Sequence, residues 1–249
     1  MDTAGRRALR RERWLQRGQR VSDAFGLVLL LVLTTYVLAS LLSNGGWPGV
    51  LLVASASATS VVALTGAHAR FGVVRGAIGL SLLAIALAVV AAVSGDRGLL
   101  SAGSLIEVIL LAMSAGTVLV RVVTAQEVGS RTILGAISVY TVLGLLFTFL
   151  YGTIDRIEGG GFFAERASSH GSDFIFFSYT TLTTTGYGNL VPAGQPGRMI
   201  AGVEMMLGQI FLVTLVAGLV SLWRPGEALR RRRQGRGGDV PGAEAPPAG

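Results

Sequence analysis

Thr183-Thr184-Thr185-Gly186-Tyr187-Gly188-Asn189 gathers the groups in this sequence best suited to holding a ligand. The run contains no acid, base or thiol. What it offers is oxygen, from three threonine hydroxyls and a carbonyl at every residue. A small cation stripped of its water needs oxygen ligands in exchange, and backbone carbonyls supply them densely and without net charge. Pointing successive carbonyls at one axis requires unusual backbone angles, some with positive φ. Glycine adopts these at little cost, so Gly186 and Gly188 sit where the chain needs them. The chemistry on offer is coordination and release of a cation.

The neighbouring segments must position this run. Upstream, Asp173 to Leu182 is a short amphipathic stretch carrying Phe176 and Phe177. Downstream, Leu190-Val191-Pro192 leads to Gly197-Arg198 and a long apolar run. Phe174 to Leu182 is too short to cross a bilayer, where about 20 residues are needed, so it is expected to be re-entrant. Non-helical backbone at that depth is tolerated only where protein or water surrounds it.

Six segments are long enough to span: about Val21 to Ser43, Trp47 to Ala67, Gly76 to Val93, Leu99 to Val120, Thr132 to Tyr151 and Met199 to Trp223. The second is rich in small residues, which permit close helix contact. The chain has 249 residues, of which 51% are hydrophobic and 14% charged. A soluble domain would carry about 25% charged residues. The expected fold is an all-α membrane protein of six transmembrane helices, with a re-entrant helix and loop between the fifth and sixth. There is no cysteine, which excludes disulfides, thiolate metal sites and a cysteine nucleophile. The two histidines, His68 and His170, are too far apart in sequence to suggest a metal cluster. Nothing is arranged for covalent catalysis and no phosphate-binding loop is present, so an enzyme is not expected.

The short helix, the Gly-Tyr-Gly turn and the spanning helix, in that order, resemble the pore loop of the potassium-channel superfamily, whose filter reads Thr-Val-Gly-Tyr-Gly. The resemblance covers roughly Ser130 to Trp223. It implies stacked carbonyl rings from Thr184, Thr185, Gly186 and Tyr187, closed by Gly188, with the Thr184 hydroxyl as the innermost ring. It implies that Tyr187 braces the filter against Phe176 and Phe177. It implies potassium as the permeant ion, no resident cofactor, and four copies around one axis, since each chain supplies one loop. Thr180, Thr183 and Asn189 fall in the supporting shell.

Three departures from the family pattern stand out. Thr185 replaces the usual Val, adding a hydroxyl expected to face the pore helix. Asn189 replaces the usual Asp. Thr180 stands where some members carry a Glu that bonds that Asp. The charged clamp behind the filter is therefore missing, which leaves strict selectivity open.

Charge placement sets the topology. Residues 1–20 form a basic arm with seven arginines, read as topogenic, or alternatively as an interfacial helix. With this arm inside, Arg70, Arg75, Arg121, Arg131, Arg224 and Arg230 to Arg233 also lie inside, and only Arg97, Arg156, Arg166 and Arg198 lie outside. The expected location is the plasma membrane with both termini cytoplasmic. Residues 224–249 read as a basic, disordered tail. Its arginines suit anionic lipid headgroups better than nucleic acid. Asp155, Glu158, Glu165 and Asp173 then lie near the outer mouth, where they would concentrate cations. Gly159-Gly160-Gly161 reads as a flexible turret.

Residues 21–125 form a four-helix unit and 130–223 the pore unit. The fourth span carries no arginine ladder, so strong voltage dependence is not expected. Its Glu107 is either a functional acid within the membrane or a solvated helix end. In the last span, Gly208 is a candidate hinge or a packing contact. Glu204, one turn before it, either faces the aqueous cavity or bonds to the pore helix, with Tyr179 or threonine hydroxyls as partners. Three readings stay open: a potassium-selective channel, a non-selective monovalent cation channel, and a multi-pass transporter or membrane scaffold.

Overall fold

The computed structural model of the chain describes residues 25–42, 46–124, 130–165 and 169–222. The basic arm at 1–20 and the tail at 224–249, with the roles expected of them, lie outside the described residues, as does Arg166. The described residues form seven helices: α1 Phe25–Leu41, α2 Gly46–Gly66, α3 Phe71–Ser94, α4 Arg97–Val123, α5 Ser130–Ile157, α6 Gly171–Leu182 and α7 Gln195–Leu222.

Five of these, α2, α3, α4, α5 and α7, are long and apolar enough to cross a membrane. The sequence led us to expect six. The described part of the other expected span, α1, covers about 25 Å at 1.5 Å per residue. Residues 21–24 of that expected span lie outside the described residues. α6, with 12 residues, extends only about 18 Å and cannot span.

Local signals set the boundaries. Gly95 ends α3 in the left-handed region at φ 74°, and its N–H closes onto the Ala91 carbonyl. Asp96 then caps α4 by accepting from the Gly98 and Leu99 N–H groups. This two-residue joint folds α4 back along α3. The inner face of α3 is a stripe of small residues, Ala77, Ser81, Ala84, Ala88 and Ala91. Their spacing of three or four keeps them on one helix face. Small side chains let the backbones approach: a Cβ added at Gly103 of α4 would lie 3.1 Å from the Ala84 carbonyl oxygen.

The main core joins both halves of the molecule. Phe25, Val28 and Val32 of α1 meet Ala56 and Ala63 of α2, Leu111, Ala115 and Val118 of α4, Val139, Val142 and Leu145 of α5, and Ile175 of α6. The four-helix unit thus rests directly on the pore helix of its own chain.

Candidate functional site

The loop after α6 begins from a well-tied helix. At the start of α6, the His170 N–H donates to the Asp173 carboxylate at 2.9 Å. At its end, the Leu182 carbonyl accepts from the Tyr140 hydroxyl of α5 at 3.0 Å. The same carbonyl lies against Gly208 of α7, where an added Cβ would come within 2.1 Å of its oxygen. Gly208 is therefore a packing contact, with no room for any side chain. The hinge alternative loses its support to this close approach.

Beyond Leu182 the backbone alternates in handedness. Thr184, Gly186 and Gly188 have φ of 55°, 50° and 77°, whereas Thr185 and Tyr187 between them are not in the positive region. A threonine in this region is uncommon and marks a constrained backbone. The Thr180 carbonyl anchors the start of the run by accepting from the Thr185 and Gly186 N–H groups at 2.8 and 3.2 Å. The Thr185 hydroxyl pairs with the Thr183 hydroxyl, at the C-cap of α6, at 2.8 Å. The Thr180 hydroxyl turns back to the Phe177 carbonyl of its own helix. Thr183 to Asn189 are all exposed in the single chain.

The two pore-helix aromatics do different things. Phe176 stacks on Tyr187, with ring centroids 5.7 Å apart and planes 16° apart. Phe177 points elsewhere, into a cluster with Tyr151, Phe162 and Phe163. The expectation that both brace Tyr187 is corrected: neighbours on a helix project about 100° apart and serve different surroundings.

Glu204 is fully buried behind the pore helix. Its carboxyl is held by the Tyr151 hydroxyl at 2.6 Å and the Ser178 hydroxyl at 2.6 Å. This is the pore-helix alternative, with different partners from those expected. Tyr179 instead donates to the Thr141 carbonyl at 2.7 Å. Tyr140, Tyr151 and Ser178 were not singled out from the sequence. A signal existed in Tyr140, Gly144, Phe147 and Tyr151, spaced to line one face of α5. Gly144 belongs to that stripe because the Tyr179 ring crosses it, 2.7 Å from where a Cβ would stand.

The outer loops are more ordered than a turret of free glycines. Gly159, Gly160 and Gly161 hold φ of 84°, 98° and 84°, a defined turn. The Phe163 strand segment bridges to Pro192 just after the filter run. Asp155 accepts from the Phe162 N–H at 3.0 Å, and Asp173 is buried as a helix cap, so both serve the loop structure. Glu158 and Glu165 are exposed and free to act on ions by charge.

Residues 108–224 match the family model described as "Ion channel". The match starts within α4 and takes in α5, the pore helix, the loop and α7. These residues are similar to an ion-channel pore module. No curated protein and no solved structure matches the chain. With five helices among the described residues long and apolar enough to cross a membrane, the chain is a multi-pass membrane protein, and the family that it matches over 108–224 is one of ion channels. The match favours a channel over the transporter and scaffold readings.

Proposed function

We propose that four copies of this chain form a potassium-selective channel, with the carbonyls of Thr184 to Tyr187 as the filter. The observation that carries this reading is the alternating positive φ at Thr184, Gly186 and Gly188, directly after a 12-residue helix too short to span. Alternating handedness turns successive carbonyls toward one side, which is what stacked oxygen rings require. Potassium is cargo here. It exchanges its water for carbonyl oxygens and passes between several weak sites. The C-terminal end of α6 contributes partial negative charge toward the inner mouth.

Four copies fit the surface that one chain leaves open. Met199, Val203, Met206, Leu207, Ile210 and Val213 line one side of α7 and are exposed in the single chain, as are Met205 and Leu212 on the opposite side. Lipid covers part of such a surface, and neighbouring copies with a central pore account for the rest. In this arrangement α1 completes six spans, both termini are cytoplasmic in the plasma membrane, and the Arg-rich ends meet anionic headgroups. The absence of an arginine ladder in α4 argues against steep voltage gating.

A non-selective monovalent cation channel is the second reading. It is favoured by the Thr183–Thr185 hydroxyl pair and by the lack of a charged clamp at Thr180 and Asn189. Ion flux from liposomes tests both. Vesicles loaded with potassium and diluted into sodium should release potassium through the channel. Gly186→Ala, which forces a side chain onto a positive φ, should stop the flux while the protein still assembles. Equal release from sodium-loaded vesicles would favour the second reading, and flux unchanged by Gly186→Ala would contradict both.

A further inference from the structure

The four-helix unit contains a buried polar layer that the pore does not use. On one side of it, Val50 and Val53 of α2 pack with Ala84 and Ala88 of α3, joined by Ile106 of α4. On the other side, Leu64 of α2 packs with Ala77 of α3 and Leu110 of α4. Between these two apolar clusters the same helices place Ser57 and Ser60, Ser81, and Glu107. All four residues are buried, Glu107 and Ser60 completely. Counted from Arg97, Glu107 lies about 15 Å along α4, in mid-span, not at a solvated end.

The Ser57 hydroxyl donates to Glu107 Oε1. Glu107 Oε2, Ser60 Oγ and Ser81 Oγ have no hydrogen-bond partner. This sets Ser60 and Ser81 apart from Ser101 and Ser104, whose hydroxyls return to carbonyls of their own helix. Buried oxygens left unpaired are costly, and these share one layer without bonding to one another.

We propose that this layer binds one small monovalent cation, held by the Glu107 carboxylate and the hydroxyls of Ser57, Ser60 and Ser81. A mid-membrane carboxylate that stays ionised requires a counter-charge. Three arginines of the neighbouring helices make contacts elsewhere. Arg156 bonds to Ser104, Arg121 to the Ala67 carbonyl, and Arg75 lies over the Phe71 ring. All-oxygen ligands select a hard cation. One carboxylate matches one positive charge, and no group of three or more His, Cys, Asp or Glu suited to a multivalent ion occurs among the described residues. The site belongs to α2–α4 and does not depend on the pore reading. It gives the four-helix unit a ligand to sense in place of voltage.

The test is retention of radioactive sodium by the chain in potassium-free lipid nanodiscs, with an unlabelled tetraalkylammonium ion, too large for the layer, present to occlude the pore. Wild type should retain about one sodium per chain. Glu107→Gln keeps a partner for Ser57 but removes the charge, and should weaken retention at least about 100-fold. Ser60→Ala and Ser81→Ala should each weaken it about tenfold. If the hydroxyls were merely unpaired, alanine there would raise thermal stability and leave sodium retention unchanged, which would overturn the proposal. So would absence of sodium retention in wild type, or a melting temperature that rises on acidification whatever the sodium concentration. That last result would assign a proton, with hydronium or a neutral carboxyl, to the layer.

Discussion

Two buried carboxyl groups divide the molecule. Glu204, in the pore half, has both oxygens bonded, one to Tyr151 of α5 and one to Ser178 of α6. Glu107, in the four-helix half, has one oxygen bonded to Ser57 and the other without a hydrogen-bond partner. Both are fully buried in apolar surroundings. The difference teaches what each half is built to do. In the pore half, polar groups are spent on fixing one geometry behind the filter loop. In the four-helix half, the buried layer keeps three oxygens, Ser60 Oγ, Ser81 Oγ and Glu107 Oε2, without a hydrogen-bond partner. A satisfied buried network rigidifies its surroundings, whereas an unsatisfied one is stable only when something else completes it.

The sharpest way to break this comparison is at Gly208. Gly208→Ala places a Cβ 2.1 Å from the Leu182 oxygen and must displace α7 or the pore helix. We expect loss of assembled, conducting channel, read by tetramer yield in mild detergent and by ion flux. Gly79→Ala in α3, where nothing lies within 4 Å, should leave both unchanged. Equal tolerance at the two positions would mean that the pore half is not rigid.

Phe176 and Phe177 give the next largest effect. Phe177→Ala empties the cluster around Tyr151 and Phe162 and should cost about 3–5 kcal/mol in thermal or denaturant stability. Phe176→Ala should leave stability closer to wild type. It should instead change the decay and ion preference of the current, because it removes the ring stacked on Tyr187.

Substitutions at Glu204 come third. Glu204→Ala leaves two buried hydroxyls without their carboxyl partner and should cost about 2–4 kcal/mol. Glu204→Gln retains an acceptor for Tyr151 and should lose less than about 1 kcal/mol. It should leave conductance at low salt unchanged, since the carboxyl faces α5 and α6. A drop in low-salt conductance would place Glu204 on the aqueous pathway and overturn its role as a strut.

Thr185→Val is the smallest change. It removes one hydroxyl from an exposed pair and should alter stability by less than about 1 kcal/mol. Its effect, if the Thr183–Thr185 pair loosens the filter, is a reversal potential closer to that of potassium in bilayer recordings.

Much of the pore was readable in the sequence because its signals are local. The glycines of the filter run, the short aromatic helix and the apolar length of α7 are properties of contiguous residues, and α6 and α7 begin within four residues of where they were expected. The partners of Glu204 and Gly208 were not readable, because each depends on how closely a second helix approaches. Helical geometry alone could have separated Phe176 from Phe177, since adjacent residues cannot share one face. The two alternatives for Glu107 are separated by its burial, which depends on how α2 and α3 pack around α4. Its depth along α4 follows from counting residues from the Asp96 cap.

The central claim is that the loop after α6 passes potassium in preference to sodium. The most direct measurement is the reversal potential of the purified channel in planar bilayers, with potassium on one side and sodium on the other. A value near the potassium equilibrium potential is the expected result. A clear current reversing near zero would contradict potassium selectivity and leave the Thr183–Thr185 pair as the first place to look.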